Sequence, residues 1–170
     1  ATLTLLLPGI SARASGLWLY EMGTPDVGTA SAGMASRAAD AATAFANPAG
    51  MTRLKRSQLM VGMQPIYADV KFDTDRATFG GGNGGNAGGV VPSGSLSYVE
   101  SVSEDLKLGF TLGSYLGLGV EFNDTWAGRY YVQKEEFLTS VANGALGYRV
   151  NDWLSVGGGI SLVYGELDVQ

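Results

Sequence analysis

Side chains able to carry covalent or acid–base chemistry are few in this sequence. It contains no His and no Cys, so the commonest general base and metal ligand, thiolate nucleophiles, disulfides and cysteine zinc sites are all absent. A Ser-His-Asp hydrolase cannot be assembled from these 170 residues. Among the acidic groups, Asp73 and Asp75 have a spacing that suits calcium, although solvated loop charge is their ordinary reading. Glu135-Glu136 reads as a solvated pair at a strand start. Gly80-Gly81-Gly82-Asn83-Gly84-Gly85-Asn86 resembles a calcium-binding glycine repeat only superficially, because the repeated Asp is missing; it reads as a flexible loop. No catalytic set, metal set or cofactor site emerges, and the chain reads as a non-enzyme. What remains is recognition by apolar and aromatic groups such as Trp126, Tyr130 and Tyr131, which serve equally well as loop packing or as an interfacial girdle. Trp153, beside a short turn, fits the girdle.

Those groups need a scaffold, and the composition restricts it. Glycine supplies 26 residues, about twice the usual share of about 7%, with no period of three to suggest collagen. Seventeen aromatics, 45% hydrophobic residues and a net charge of −5 argue against disorder. The mild acidity also argues against a nucleic-acid partner, which needs a clustered basic face. Residues 1–10 form a short apolar run followed by Ala12-Arg13-Ala14, an A-x-A pattern. This predicts a signal-peptide remnant over residues 1–14, with the mature chain starting near Ser15. No later stretch has the 18 or more apolar residues of a membrane-spanning helix, which leaves a secreted β-protein or an outer-membrane barrel.

Two regions follow. Residues 15–55 contain an Ala-, Gly- and Ser-rich stretch, Gly28–Ala49, in which Asn47-Pro48 stops a helix. They predict a small-residue plug with one or two short helices, poorly stable without an enclosing wall because alanine buries little area. From residue 56 onward the period becomes two. In Leu106–Phe122 eight of nine even positions are apolar, while the odd positions carry Gly, Thr, Tyr, Lys and Glu. Side chains alternate across a strand, so one face is continuously apolar. Seventeen residues is long for a soluble strand but suits a tilted membrane strand with a wet or plugged lumen behind it. Weaker copies occupy Gln58–Phe72, Ser93–Val102, Phe137–Val150 and Trp153–Leu167, with a bulge predicted at Pro65 where the apolar phase flips. Short connections (Ser103-Glu104-Asp105, Asn151-Asp152) alternate with long ones, the pattern of short periplasmic turns and long outer loops.

At this point the residues resemble a known family. Gly16-Leu17-Trp18-Leu19-Tyr20-Glu21-Met22-Gly23, the small-residue stretch and Asn47-Pro48-Ala49-Gly50-Met51 are similar to the N-terminal hatch of the FadL (OmpP1/FadL/TodX) outer-membrane transporters. Gly119-Val120-Glu121-Phe122-Asn123-Asp124-Thr125-Trp126-Ala127-Gly128-Arg129-Tyr130-Tyr131 resembles the segment leading from their third strand into a long outer loop. The resemblance spans residues 16–170. It implies an all-β, 14-stranded antiparallel barrel in the bacterial outer membrane, a monomer in contact with lipid and lipopolysaccharide. It further implies passive carriage of long-chain fatty acids or other hydrophobic compounds, with binding at outer loops, then in a luminal pocket, and release sideways at an inward kink of the third strand. Carried onto this sequence, Leu17, Trp18 and Leu19 become pocket-proximal, and Trp126, Tyr130 and Tyr131 become ligand-contacting loop residues. Asn47, Pro48 and Ala49 become hatch residues, and Gly113, Gly117 and Gly119, read as the inward face of strand three, become candidates for the kink. About five strands are present, too few to close a barrel, and Asp168-Val169-Gln170 lacks the usual terminal aromatic. The chain is therefore expected to be the N-terminal part of a protein more than twice as long. A structural or adhesive outer-membrane barrel is the alternative function; a lipid hydrolase would need a His from outside this chain.

Overall fold

Alternation of apolar with small or polar residues produces one antiparallel sheet. The computed structural model describes residues 22–73, 80–114 and 117–170. The signal-peptide reading and Leu17, Trp18 and Leu19 lie outside the described residues. The strands are β1 (Gln58–Tyr67), β2 (Val90–Ser101), β3 (Leu106–Gly113), β4 (Gly117–Glu121), β5 (Lys134–Arg149) and β6 (Ser155–Val169). They form a meander in which β1 pairs β2, β2 pairs β3, and β3 and β4 share one edge of β5 while β6 takes the other. No helix among the described residues is long and apolar enough to cross a membrane.

One face of the sheet is an apolar surface with nothing packed on it. Leu59, Val61 and Met63 of β1, Leu96 and Tyr98 of β2, Leu108, Phe110 and Leu112 of β3, and Ile160, Leu162 and Tyr164 of β6 are all exposed. On β5 this outward row runs from Leu138 to Tyr148 and is succeeded at its upper end by Glu136 and Lys134. Ten residue steps at about 3.4 Å, tilted about 45°, span about 24 Å, close to the apolar band of about 25 Å on membrane barrels. Facing water, this area would far exceed the few hundred Å² that soluble proteins leave exposed.

The connections at the lower end are tight because side chains close them. Ser103 Oγ accepts from the N–H groups of Asp105 (3.3 Å) and Leu106 (3.0 Å), and Asn151 Oδ1 from those of Trp153 (3.1 Å) and Leu154 (2.8 Å). The upper connections, residues 68–89 and 122–133, are longer.

Two expectations change. No bulge occurs at Pro65: β1 pairs β2 in constant register from Gln58↔Val99 to Tyr67↔Val90, with Pro65 opposite Pro92. Pro65 and Tyr67 simply continue the outward row that Leu59 begins, so the flip was one of residue polarity rather than of backbone phase. The irregularity lies instead in the long strand 106–122. Gly113 pairs with Val141 but Gly117 with Leu138, a step of four residues on this side against three on β5. One extra residue on this side breaks the strand into β3 and β4 and inverts its alternation.

The inward face is covered by residues 22–57. Their helical pieces are short: 3-10 turns at Val27–Thr29 and Pro48–Arg53, α1 (Met34–Arg37) and α2 (Thr43–Ala46). Ala41, Ala44, Met51 and Leu54 pack with Val99 and Ala145 of the sheet. Glycine makes this close approach possible. A Cβ at Gly109 would sit 2.6 Å from Met51 Sδ, and one at Gly147 would collide with the Pro48 carbonyl.

Candidate functional site

The site is built around the break in the wall. The β2–β3 ladder runs from Ser101↔Lys107 up to Ser95↔Gly113 and stops, while β2 continues against β1 to Val90. A cavity of about 530 Å³ opens there, lined by outward residues (Leu96, Leu112) and inward ones (Ser95, Gly113, Val141). Because both faces contribute, the cavity cuts through the sheet.

The start of the described N-terminal segment is held directly beside this gap. Ser95 Oγ donates to the Met22 carbonyl at 2.6 Å and the Gly23 N–H donates to Gln64 Oε1 at 3.2 Å. Met22 is 7% exposed, and its Cε would lie 2.8 Å from a Cβ at Gly113. The segment also meets the other side of the break. Asn143 Nδ2 donates to the Ala44 carbonyl (3.3 Å) while Asn143 Oδ1 accepts from Ser161 Oγ (2.9 Å), and Thr52 Oγ1 lies 2.9 Å from Ser155 Oγ. Arg149 of β5 donates to the Thr52 carbonyl. The segment is thus tethered both to β1–β2 and to β5–β6, flanking the gap.

The inner face changes character at the same height. Below the break it is small and polar: Ser95, Ser97, Thr111 and Asn143 are buried, with Ser97 Oγ 3.1 Å from Thr111 Oγ1. Above it the inverted register pairs Leu118 with Phe137 and Val120 with Glu135, and Phe137 pairs with Leu167. Val163 (51% exposed) and Leu167 (61%) on the inward row of β6 extend this patch. The upper lumen therefore carries apolar Val120, Phe137, Val163 and Leu167 beside the Glu135 carboxylate, while the outward row at that height carries Lys134, Glu136 and Asp168, joined by ion pairs of 3.2 and 2.9 Å.

The outer loops form one packed unit. Phe122 stacks on Trp126 (centroids 3.9 Å apart), and Phe72 meets both rings edge-on at 6.4 and 5.8 Å. Backbone bonds from Gly82 N–H to the Thr125 carbonyl (2.6 Å) and from Ala127 N–H to the Gly82 carbonyl (3.0 Å) join the glycine-rich segment to residues 122–131. Gly84 has φ +78°, and a Cβ there would lie 2.7 Å from Phe122 Cδ1. The flexible-loop reading of Gly80–Asn86 is thus corrected: these glycines permit close packing against an aromatic cluster.

The sequence-predicted residues fall as follows. Asn47 caps the Pro48–Arg53 turn by accepting from the Gly50 N–H (3.3 Å) and donates to the Ala35 carbonyl (2.7 Å). Pro48 and Ala49 rest over Gly147 and Gly157, far along the sheet from the gap rather than at it. Gly113 borders the gap on the inner face. Gly117 and Gly119 do not share that face, because the register shift pairs them with Leu138 and Glu136 of the outward row. Trp126 lies within the aromatic cluster, while Tyr130 (78% exposed) and Tyr131 (86%) project outward. Asp73 is exposed, and among the described residues no three His, Cys, Asp or Glu side chains gather to hold a metal. Ser95, Asn143 and Arg149 carried no predicted role, and Met22 only that of a residue in the hatch motif. The available signal was a polar side chain in the inward row of an apolar strand.

Against this geometry the comparisons with known proteins are decisive for family. The family described as outer membrane protein transport protein (OMPP1/FadL/TodX) matches residues 5–170. The chain belongs to this family. FadL-family membership places its antiparallel sheet in a bacterial outer-membrane β-barrel. Relatives of this FadL-family chain include the long-chain fatty acid transport protein of Escherichia coli, 28% identical over 94% of this chain and 36% of the relative. Outer membrane protein P1 of Haemophilus influenzae is 29% identical over 100% of this chain and 40% of that protein. A crystal structure of a Pseudomonas aeruginosa FadL homologue shares the fold, with a TM-score of 0.73 at 22% identity over 91% of this chain and 39% of that one. The chain thus spans about two fifths of the length of these proteins.

Proposed function

We propose that the protein takes up long-chain fatty acids or other hydrophobic compounds, binding them in the apolar upper lumen and passing them sideways through the gap between β2 and β3–β4. Residues 22–57 act as a hatch. The carrying observation is the cavity that cuts the wall at Gly113 with the buried Met22 side chain seated beside it. A solute bound by burial gains about 25 cal/mol per Å² of apolar surface, so capture needs no covalent step, and hatch displacement shifts the population from bound to released. The name of the E. coli relative supports fatty acid as the substrate class.

The test is uptake of radiolabelled oleate by cells that lack their own transporter and express the full-length gene, wild type or Gly113→Phe. A phenyl ring at position 113 fills the gap. Uptake is expected with the wild type and lost with the variant, while heat-modifiable gel mobility shows both barrels assembled. Absence of uptake by the wild type sinks the proposal; unchanged uptake by an assembled Gly113→Phe barrel removes the lateral route.

A further inference from the structure

The lower, short-turn end of the lumen holds a group of cations that the transport reading does not use. A cavity of about 230 Å³ lies between Thr52–Lys55, the β2–β3 turn and the end of β5. Arg53, Lys55, Lys107 and Arg149 line it together with one carboxylate, Glu104, which leaves a formal excess of three positive charges. Lys107 is only 2% exposed. Its Nζ donates to Ser101 Oγ and, at 2.8 Å, to the Ser103 carbonyl. Arg149 donates to the Thr52 carbonyl and Arg53 to the Ser36 carbonyl at 3.0 Å. Among the described residues the ion pairs are Lys71–Asp69, Lys134–Glu136 and Lys134–Asp168, so none of these four cations has a carboxylate partner. Neutral acceptors alone offset a buried ammonium poorly, because its desolvation is costly without a counter-charge. The cavity has room for about seven water volumes of about 30 Å³, enough for an oxyanion and a few waters. A second cavity of about 460 Å³ shares Thr52, Arg53 and Arg149 and opens beside Asn151–Trp153, providing access.

We propose that this cavity is an oxyanion site, taking a phosphate or carboxylate group with Lys107 and Arg149 as anchors and Arg53 and Lys55 at its rim. The proposal stands apart from uptake: it needs only the fixed contacts of the lower lumen and no passage of a solute. The anion can arrive free in solution or as the head group of an anionic lipid.

The experiment titrates inorganic phosphate, and separately acetate, into the full-length protein in lipid-free detergent micelles by calorimetry. Native mass spectrometry in parallel counts phosphatidylglycerol retained from mixed micelles. Saturable binding of one anion is expected, weakened by added sodium chloride and about tenfold weaker in Lys107→Gln and in Arg53→Gln, the loss due to one charge-assisted bond. Lys71→Gln, remote on the outer loops, is expected to leave it unchanged. Arg53 is exposed, so its variant keeps the test open if Lys107→Gln fails to fold. Retention of one phosphatidylglycerol that both variants reduce, with phosphate and acetate silent, assigns the lipid as the source and supports the site. No saturable binding of any probe, or equal binding by wild type, Lys107→Gln and Arg53→Gln, overturns it.

Discussion

The outward rows make a depth-dependent prediction that can be worked from the register. Phe110 is an outward residue of β3, 42% exposed, and pairs with Gly144 of β5 and Tyr98 of β2. Gly144 is four residues from Tyr148 and six from Leu138, the limits of the apolar row on β5. At about 3.4 Å per residue and about 45° of tilt, Phe110 lies about 10 Å from the lower edge of the apolar band and about 14 Å from the upper, near its middle. Arginine at the midplane of a lipid-facing barrel surface costs about 2–4 kcal/mol, against about 0–1 near an interface. Leu106, paired with Tyr148 at the lower edge, supplies the interfacial control. Phe110→Arg is therefore expected to lose about 2 kcal/mol more than Leu106→Arg, about thirtyfold in the folding equilibrium. The assay is equilibrium unfolding of the full-length protein in lipid vesicles, followed by tryptophan fluorescence against guanidinium concentration. Equal costs at the two positions would refute the assignment of this face to lipid, because a protein-covered or water-exposed face has no reason to follow the pairing height.

Other consequences follow from the break and the seats around it. Removing one residue from 114–116 restores a single register with Gly117 still opposite Leu138 and Gly119 opposite Glu136, which should straighten the strand and close the gap; oleate uptake is expected to fall while the barrel still assembles. Gly147→Val places a side chain where the Pro48 carbonyl rests; overpacking of this kind costs about 1–3 kcal/mol and should increase ion conductance in planar bilayers as the N-terminal segment lifts. Gly84→Ala pairs a positive φ with a contact to Phe122, costs about 1–2 kcal/mol, and should speed proteolysis within residues 80–89 without changing the unfolding of the barrel wall. Asn143→Leu strips the Ala44 carbonyl and Ser161 of their partner; an unsatisfied buried acceptor costs about 1–3 kcal/mol, measurable as earlier exchange of the amides in residues 43–53.

How much of this was legible in the sequence depended on whether one strand or several strands decided the point. The sheet, its outward face and the short turns were readable because alternation is a local consequence of strand geometry, and Leu106–Leu112 shows it plainly. The break at 114–116 was not readable. Leu116, Leu118 and Val120 keep the even spacing of Leu108 and Phe110, and only pairing with β5 shows that one residue has been added. For the same reason Gly117 and Gly119 were placed on the wrong face. The glycine-rich loop looked flexible because its composition is flexible, whereas its order comes from Phe122 and Trp126, nearly forty residues further along the chain. The roles of Ser95, Asn143 and Arg149 depend on carbonyls of the N-terminal segment, which no spacing rule locates.

The register shift also explains why a single unbroken pattern of leucine, valine and glycine serves two environments. Below the break, Leu108, Phe110 and Leu112 lie exposed on the outward face and their glycine and threonine neighbours make room for the N-terminal segment. Above it the wall has reached the charged boundary marked by Lys134, Glu136 and Asp168, where the outward row is no longer apolar. Without the register shift, the same residues would point Val120 into that boundary and glycine into the lumen. With it, glycine lies under the charged row and the apolar positions line the lumen. The bulge thus does two things at one cost in ladder hydrogen bonds: it parts the wall at Gly113, and it turns Val120 toward the adjoining lumen. On the proposed uptake route, a solute that favours that lumen would sit beside the opening, and no motion of the barrel wall would be required to bring the two together.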